Sequence, residues 1–162
     1  MRIVAAFDIC LKALAIFLFF SALGLMVNHF SPQGIPLIYS PPPQTEINGI
    51  KVPLIDEKQA SRHLNEPGYA FVDTRHPEHF HEAHVPGAVF LPPEDVQERF
   101  VEAQPFLMET DTLILYCYGP DCDMAERVAG FLSQMGYKSF MIMQSGFSAW
   151  KSSGLPVESS RR

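Results

Sequence analysis

The sequence predicts an α/β domain with a mainly parallel central sheet flanked by helices on both faces, preceded by one N-terminal transmembrane helix. Three observations predict this class. Short apolar runs without polar alternation are interleaved with helical patterns over residues 47–158. An apolar stretch dominates residues 1–30, and a proline-rich linker covers residues 31–46. The chain therefore consists of an anchor, a spacer and one domain.

The anchor is predicted from length and apolar character. Residues 13–27 carry no charge, and the apolar run extends back to Ile9 with Lys12 as its interruption. About twenty helical residues cross a bilayer core, so the segment spans it if Lys12 reaches the interface. A cleaved signal peptide is an alternative, because residues 22–24 (Ala-Leu-Gly) offer a small-x-small site. A soluble amphipathic helix is disfavoured because the stretch is apolar all round.

Orientation follows from the positive charges. Arg2 lies before the span and Lys12 near its start, whereas no Lys or Arg lies between Val27 and Lys51. The positive-inside rule predicts a single-pass protein of the cell inner membrane with its domain facing the periplasm.

Charge and cysteine content exclude some functions. The formal net charge of −6 argues against nucleic-acid binding and against docking on anionic lipid. The chain has three cysteines, too few for a disulfide framework. Cys10 lies in the anchor, so only Cys117 and Cys122 can pair with each other.

The linker contains Pro32, Pro36 and a proline run at residues 41–43. Such a composition favours polyproline II and predicts a semi-rigid spacer, with a ligand for another domain as the alternative. The domain that follows has predicted strands at residues 50–55, 69–73, 88–91, 112–117 and 139–143. Its predicted helices cover about residues 56–65, 78–83, 94–108, 125–135 and 145–152, with Asp56 as an N-cap and Pro105 kinking or ending the third.

The best candidate for a reactive group is Cys117. An apolar strand ends at this cysteine, a Gly119-Pro120 turn follows, and a helical pattern begins near Met124. A cysteine between a strand end and a helix N-terminus is surrounded by backbone N–H dipoles that favour the thiolate. The alternative is a buried core cysteine without reactivity.

Two motifs resemble the signatures of the rhodanese-like (sulfurtransferase) domain family. The strand that ends at Cys117, the helix that closes at Gly136-Tyr137 and the segment at residues 143–157 resemble its active-site half. Residues 71–75 and 84–88 resemble its upstream half. The resemblance covers about residues 47–158 and implies the family's α/β fold.

The resemblance also implies a chemistry for the site. Cys117 would take a sulfane sulfur, become a persulfide and pass the sulfur to a small thiol or protein acceptor. The implied substrate-binding loop consists of Tyr118, Gly119, Pro120, Asp121, Asp123 and Met124. The resemblance implies Asp73 and Arg75 as supporting residues, with a purely structural role as the alternative. Arg127, one helical turn beyond the loop, either reaches back to it or faces solvent, and no cofactor or metal is expected.

The loop departs from the family pattern in two ways. It is about two residues longer than usual, and the positions that could hold the common Arg read Cys122, Asp123 and Met124. Asp121 and Asp123 instead bring negative charge close to the sulfur. Like charges raise a thiol pKa and repel anions, so thiosulfate is expected to be a poor donor. The added length brings in Cys122, interpreted as a redox partner that resolves the persulfide, a bystander at the helix cap, or a metal ligand.

A histidine cluster lies upstream at His76, His79, His81 and His84. Solvated helix-face histidines are the default interpretation and a transition-metal site the alternative, while the resemblance makes His84 structural. Three functions remain open: a sulfurtransferase or sulfur carrier, a thiol–disulfide redox module using Cys117 and Cys122, and a non-catalytic module that binds a membrane protein. A phosphatase is disfavoured because the loop has acids where phosphate would need an Arg.

Overall fold

The computed structural model describes residues 2–31 and 43–160. The chain divides into two compact units, Met1–Pro41 and Pro42–Arg162. The predicted polyproline spacer falls largely on residues 32–42, which lie outside the described residues.

The N-terminal unit contains one long helix, α1 (Arg2–Phe30). Its stretch Cys10–Phe30 has 21 residues and a mean hydropathy of 2.3, which makes it long and apolar enough to cross a membrane. Large apolar side chains such as Phe17 and Phe30 are exposed along it. The described part of the chain contains one helix of this kind.

The second unit alternates strands and helices. Its strands are β1 (Gln44–Ile47), β2 (Ile50–Ile55), β3 (Tyr69–Asp73), β4 (Val89–Phe90), β5 (Thr112–Tyr116) and β6 (Phe140–Met143). Its helices are α2 (Glu57–Ser61), α3 (Pro77–Glu82), α4 (Val96–Met108), α5 (Met124–Gln134) and α6 (Gly146–Ser152). The sheet order is β1-β2-β6-β5-β3-β4, with β1 antiparallel to β2 and the other neighbours parallel. The predicted α/β class with a mainly parallel sheet is confirmed.

Residues on successive positions of β5 pack against opposite faces of the sheet, which explains its unbroken apolar sequence. Leu113 and Leu115 belong to a core shared with α4 and α5. Ile114 and Tyr116 belong to a second core that includes Trp150 of α6. Helices therefore cover both faces of the sheet, as the sequence predicts.

The sheet begins at β1, within residues that the sequence assigned to the linker. Asn48 and Gly49 have positive φ angles of 49° and 80° and join β1 to β2 as a two-residue hairpin turn. The Asn48 side chain also donates a 2.7 Å hydrogen bond to Ser133 Oγ next to the end of α5. The hairpin extends the sheet beyond the predicted boundary at residue 47.

One helix ends earlier than predicted, and another runs through a proline to its predicted end. α2 begins after Asp56, which forms a capping box with Gln59, but it ends at Ser61 rather than near residue 65. α4 continues through Pro105 to Met108. Proline removes one backbone donor, whose acceptor would be the carbonyl of Val101, and Val101 is exposed to solvent. The helix can therefore tolerate the proline.

Candidate active site

Cys117 directly follows the last residue of β5 at the carboxyl edge of the parallel sheet. Asp73 ends the neighbouring β3 and is in register with Tyr116. Ligand sites of parallel sheets lie at this edge. Cys117 itself is 3% exposed and packs in the core shared with α5.

Residues 117–123, called the cysteine loop from here on, connect β5 to α5. Cys117 and Cys122 form a disulfide across this loop, with their Cα atoms 6.2 Å apart. The N–H of Cys122 donates to the carbonyl of Gly119 at 3.2 Å, and this turn brings the second cysteine back toward the first. The structure thus joins the two cysteines whose pairing the sequence left open.

The N-terminus of α6 holds the cysteine loop. The N–H of Phe147 donates to the carbonyl of Cys117 at 2.8 Å, and the N–H of Ser148 donates to the carbonyl of Tyr118 at 3.2 Å. Gly146 has a φ of +68°, and a Cβ atom there would overlap the backbone of Tyr118 and Gly119. Only glycine allows α6 to approach the loop this closely.

A cavity of about 620 Å³, called the cysteine cavity, opens between the cysteine loop and α6. Its lining residues are Tyr118, Gly119, Pro120, Asp121, Cys122, Ser145, Ser148, Ala149 and Ser152. Among these, Cys122 contributes the sulfur and Asp121 the only charge. The buried Cys117 is not among them, so the cavity gives access to the disulfide from the Cys122 side.

Tyr118 separates this cavity from a second, smaller space. Its ring and Ser148 also line a cavity of about 270 Å³ that includes Arg75, His79 and Lys151. The Tyr118 hydroxyl accepts a 3.3 Å hydrogen bond from the N–H of His76, and its ring lies edge-on to His79. Partial burial raises the pKa of Tyr118 above its ordinary value.

Asp73 and Arg75 form a buried ion pair beneath the loop, with Arg75 Nη2 2.7 Å from Asp73 Oδ2. Arg75 also donates to the carbonyl of Ala83 at 2.7 Å. Tyr116 donates its O–H to Asp73 at 2.8 Å and accepts from the N–H of Val85 at 3.1 Å. Burial, and then the Asp73 carboxylate, raise the pKa of Tyr116 well above its ordinary value.

Aromatic rings connect this network to the cysteine loop. The Arg75 guanidinium lies 3.8 Å from the ring centroid of Phe147, whose N–H binds the Cys117 carbonyl. Arg75 is 3% exposed, and its Nε and Nη2 donate hydrogen bonds to Asp73 and Ala83. The contacts of Asp73 and Arg75 therefore fix the strand end and α6 rather than reach the sulfurs.

Three other predicted residues lie outside the cysteine cavity. Asp123 is exposed and precedes α5, Met124 packs against the core shared with α5, and Arg127 is exposed on α5. Glu126, which the sequence did not single out, has its pKa raised by burial and by the nearby Asp123 carboxylate. The environment at the start of α5 is therefore acidic.

The histidines separate into two environments. His84 is buried, stacks on Phe80 and has its Nδ1 2.8 Å from the Phe80 carbonyl. His79 and His81 are exposed on α3. Within residues 2–31 and 43–160, no group of three or more His, Cys, Asp or Glu residues is arranged to hold a metal ion.

Sequence reasoning missed the far wall of the cavity. Ser145, Ser148, Ala149 and Ser152 come from the start of α6 and one face of that helix. The available signal was the run of small residues at helical spacing directly after Gln144. Small residues at this spacing indicate that the helix packs closely against another segment, but they do not show which segment that is.

Known proteins resemble this domain in sequence. The chain is 28% identical over 100 residues to the dual specificity phosphatase Cdc25 of Arabidopsis thaliana, covering 56% of this chain and 67% of that protein. It is 30% identical over 103 residues to arsenate reductase 2.2 of Oryza sativa subsp. japonica, covering 58% and 78%. It is 31% identical over 97 residues to the thiosulfate sulfurtransferase GlpE of Tolumonas auensis, covering 60% and 86%.

Solved structures share the fold. The crystal structure of the BH2092 protein from Bacillus halodurans has a TM-score of 0.58 at 25% identity, covering 66% of this chain and 77% of that chain. The solution NMR structure of the rhodanese-like domain from the Anabaena sp. Alr3790 protein has a TM-score of 0.54 at 24% identity, covering 65% and 78%.

A family model described as the rhodanese-like domain matches residues 56–153, which is more than half of the chain. The matched region runs from the start of α2 to the end of α6 and contains both cysteines of the disulfide. The resemblance drawn from the two sequence motifs is confirmed, and the chain belongs to the rhodanese-like domain family.

Proposed function

We propose that this rhodanese-like domain is a sulfurtransferase or sulfur carrier that forms a persulfide on Cys117, with Cys122 as the resolving cysteine. The observation that carries the proposal is the Cys117–Cys122 disulfide at the carboxyl edge of β5. It shows that the two sulfurs reach bonding distance within the folded loop. Relatives named as thiosulfate sulfurtransferases support the reaction class.

The proposed reaction begins with both cysteines reduced. The Cys117 thiolate attacks the sulfane sulfur of a donor, whose leaving group departs with the electron pair of the broken bond. Cys117 then carries a persulfide, and a thiol acceptor can take its terminal sulfur. Alternatively, the Cys122 thiolate attacks Sγ of Cys117 and expels hydrosulfide, which produces the disulfide. Two molecules of an external thiol then restore the dithiol and leave as their own disulfide.

The charge of the loop restricts the donor. Asp121 lines the cysteine cavity and Asp123 lies at the start of α5. The described residues that line the cavity include no Arg or Lys to offset these carboxylates. Dianionic thiosulfate is therefore expected to react slowly, and a persulfide of a small thiol to react faster.

A second candidate is a thiol–disulfide redox module in which the same two cysteines cycle without sulfane sulfur. The disulfide itself favours this candidate, because it is the oxidised product such a module would hold. Reduction of an oxyanion by the dithiol belongs to the same class, since two thiols supply two electrons as they form a disulfide. The relative named arsenate reductase 2.2 makes arsenate a suitable probe.

Intact-mass spectrometry of the reduced full chain in detergent separates these candidates. The sample is exposed separately to thiosulfate, mercaptopyruvate, glutathione persulfide and arsenate, with Cys117→Ser as the control. A gain of one sulfur that cyanide removes and Cys117→Ser abolishes supports the sulfurtransferase. Disulfide formation with arsenate and without sulfur gain supports the redox module. Absence of both changes would leave a binding module.

We also propose that α1 anchors the protein in the cell inner membrane with its domain in the periplasm. The positions of Arg2 and Lys12 support this orientation. The disulfide supports it independently, because such bonds persist in oxidising compartments. Protease added to spheroplasts should digest the domain while the intact cell protects it, and protection in spheroplasts would place the domain in the cytoplasm.

A further inference from the structure

We infer that Cys122, rather than the family-motif cysteine Cys117, is the sulfur that an incoming reducing thiol attacks, and that this thiol is a small molecule carrying an ammonium group. The inference rests on the proposed function, because it assigns the step that returns Cys117 to its reduced, sulfur-accepting form. It names the point of attack and the chemical class of the co-substrate.

Burial distinguishes the two sulfurs of the disulfide. Cys117 is 3% exposed and packs in the core shared with α5, whereas Cys122 is half-buried and lines the cysteine cavity. The site of thiol–disulfide exchange depends on access to the attacked sulfur as well as on thiolate chemistry. A thiol that enters the cavity therefore reaches Cys122 first.

The exchange balances without any further oxidant or reductant. The thiolate of the first small thiol attacks Sγ of Cys122, the Cys117–Cys122 bond breaks, and Cys117 departs as the thiolate with the electron pair. A second small thiol attacks the mixed disulfide on Cys122 and leaves as the small-molecule disulfide. Cys122 then takes a proton from solvent, and Cys117 is free to attack a sulfur donor.

The size of the cavity favours a small molecule. About 620 Å³ falls in the range of sites that bind metabolite-sized ligands. Gly146 and the hydrogen bonds from Phe147 and Ser148 hold α6 against the loop, so the far wall is fixed.

The charge of the cavity favours a cationic thiol. Asp121 carries the only charge among the described lining residues, and the serines and backbone supply neutral polar groups. A thiol with an ammonium group complements this carboxylate, and an anionic thiol is repelled by it. A loop that contained an Arg in place of this acid would instead favour an anionic thiol.

Three thiols of similar size and different charge test the inference. The disulfide form of the full chain, in detergent and with Cys10→Ser to remove the anchor thiol, is reduced by cysteamine, 2-mercaptoethanol and 2-mercaptoethanesulfonate. Rates are divided by the thiolate concentration of each reagent. We expect cysteamine to exceed 2-mercaptoethanol by about three- to fivefold and the sulfonate to be slowest. Asp121→Asn should remove this order, and an unchanged order in Asp121→Asn would overturn the charge argument.

Single-cysteine variants test the point of attack without any sulfur donor. In the Cys10→Ser background, which leaves one cysteine in each variant, cystamine should form a mixed disulfide with Cys122 in Cys117→Ser at least about tenfold faster than with Cys117 in Cys122→Ser. Circular dichroism of both variants checks that the domain is folded. Equal rates, or faster reaction of Cys117, would refute Cys122 as the attacked sulfur. Neither measurement uses sulfane sulfur. The proposed sulfurtransferase function can therefore be refuted while this inference holds, and this inference can be refuted while that function holds.

Discussion

The backbone N–H of Phe147 donates a 2.8 Å hydrogen bond to the carbonyl of Cys117, although the two residues lie on different elements. The side-chain ring of Phe147 packs on the Arg75 guanidinium. α6 therefore links the buried Asp73–Arg75 ion pair to the cysteine loop. The position of the disulfide depends on how closely α6 can approach that loop.

Replacing Gly146 with Ala tests this close approach. A Cβ atom at residue 146 would overlap the backbone of Tyr118 and Gly119, and φ is +68°. Gly154→Ala is the matched control, because its φ is +70° and nothing lies within 4 Å of the added Cβ. Both variants lose about 1–2 kcal/mol from the left-handed backbone. Gly146→Ala should lose at least about 1 kcal/mol more.

Urea unfolding of the full chain in detergent, followed by the fluorescence of the single tryptophan, measures both variants. Gly146→Ala should also change the rate at which cysteamine reduces the disulfide, whereas Gly154→Ala should leave it unchanged. Equal losses of stability in the two variants would mean that α6 can shift away from the loop without cost.

Replacing Tyr116 with Phe tests the network beneath the loop. The Tyr116 hydroxyl donates to Asp73 and accepts from the N–H of Val85, and Tyr116 is fully buried. Its removal leaves that buried N–H without its partner, which costs about 1–3 kcal/mol of unfolding free energy. Tyr137→Phe, at a half-buried position, should stay within about 0.5 kcal/mol. Similar losses in both variants would contradict a specific role for the Tyr116 hydroxyl.

The sequence predicted the strand before Cys117 because its apolar run has no polar alternation, and β5 is buried on both faces. The separation of five residues between Cys117 and Cys122 allowed a disulfide but left a bystander or metal-ligand role for Cys122 open. The wall that α6 contributes was not predicted, because local pattern does not show which loop a helix will approach. Only the folded sheet brings residues 145–152 to residues 118–122.

The hairpin at β1 was missed for a different reason. The proline run at residues 41–43 favours a linker, whereas the Asn48-Gly49 pair that follows favours a tight turn. Asn-Gly between two short β-prone runs is a strong indicator of a two-residue hairpin. In this case the information was local and present in the sequence.

Removing the carboxylates of the cysteine loop should improve the reaction with anionic donors. Asp121→Asn is expected to raise the rate of sulfur uptake from thiosulfate by about two- to fivefold, because a like charge that lines the cysteine cavity is lost. Asp123→Asn should raise this rate by less, because Asp123 lies outside the cavity. Asp111→Asn, before β5 at the opposite edge of the sheet, is the matched control and should have no effect. Persulfide formation is quenched at successive times, and mass spectrometry of the quenched samples gives the rates.

Salt gives an independent check of the same repulsion. Higher ionic strength should raise the rate at which the unmodified chain takes up sulfur from thiosulfate, since screening weakens like-charge repulsion. The same increase in salt should have less effect on Asp121→Asn. A rate that falls with salt in the unmodified chain would indicate attraction of the donor by positive charge instead.

Glu126 should make stability depend on pH. Burial and the Asp123 carboxylate raise the pKa of Glu126 in the folded chain, so the folded state binds this proton more tightly than the unfolded state. The ionised form therefore lowers stability at neutral pH. This cost fades as the pH falls through the raised pKa of the folded chain, and it is gone below the ordinary glutamate pKa of about 4.3. Glu126→Gln should raise the unfolding free energy by a few tenths of a kcal/mol at pH 7, the small size reflecting solvent screening, and by nothing near pH 4.

Glu102→Gln on the exposed side of α4 is the control. Urea unfolding of both variants at the two pH values decides the matter, and a gain in Glu126→Gln that persists at pH 4 would show that the ionisation of Glu126 is not its cause.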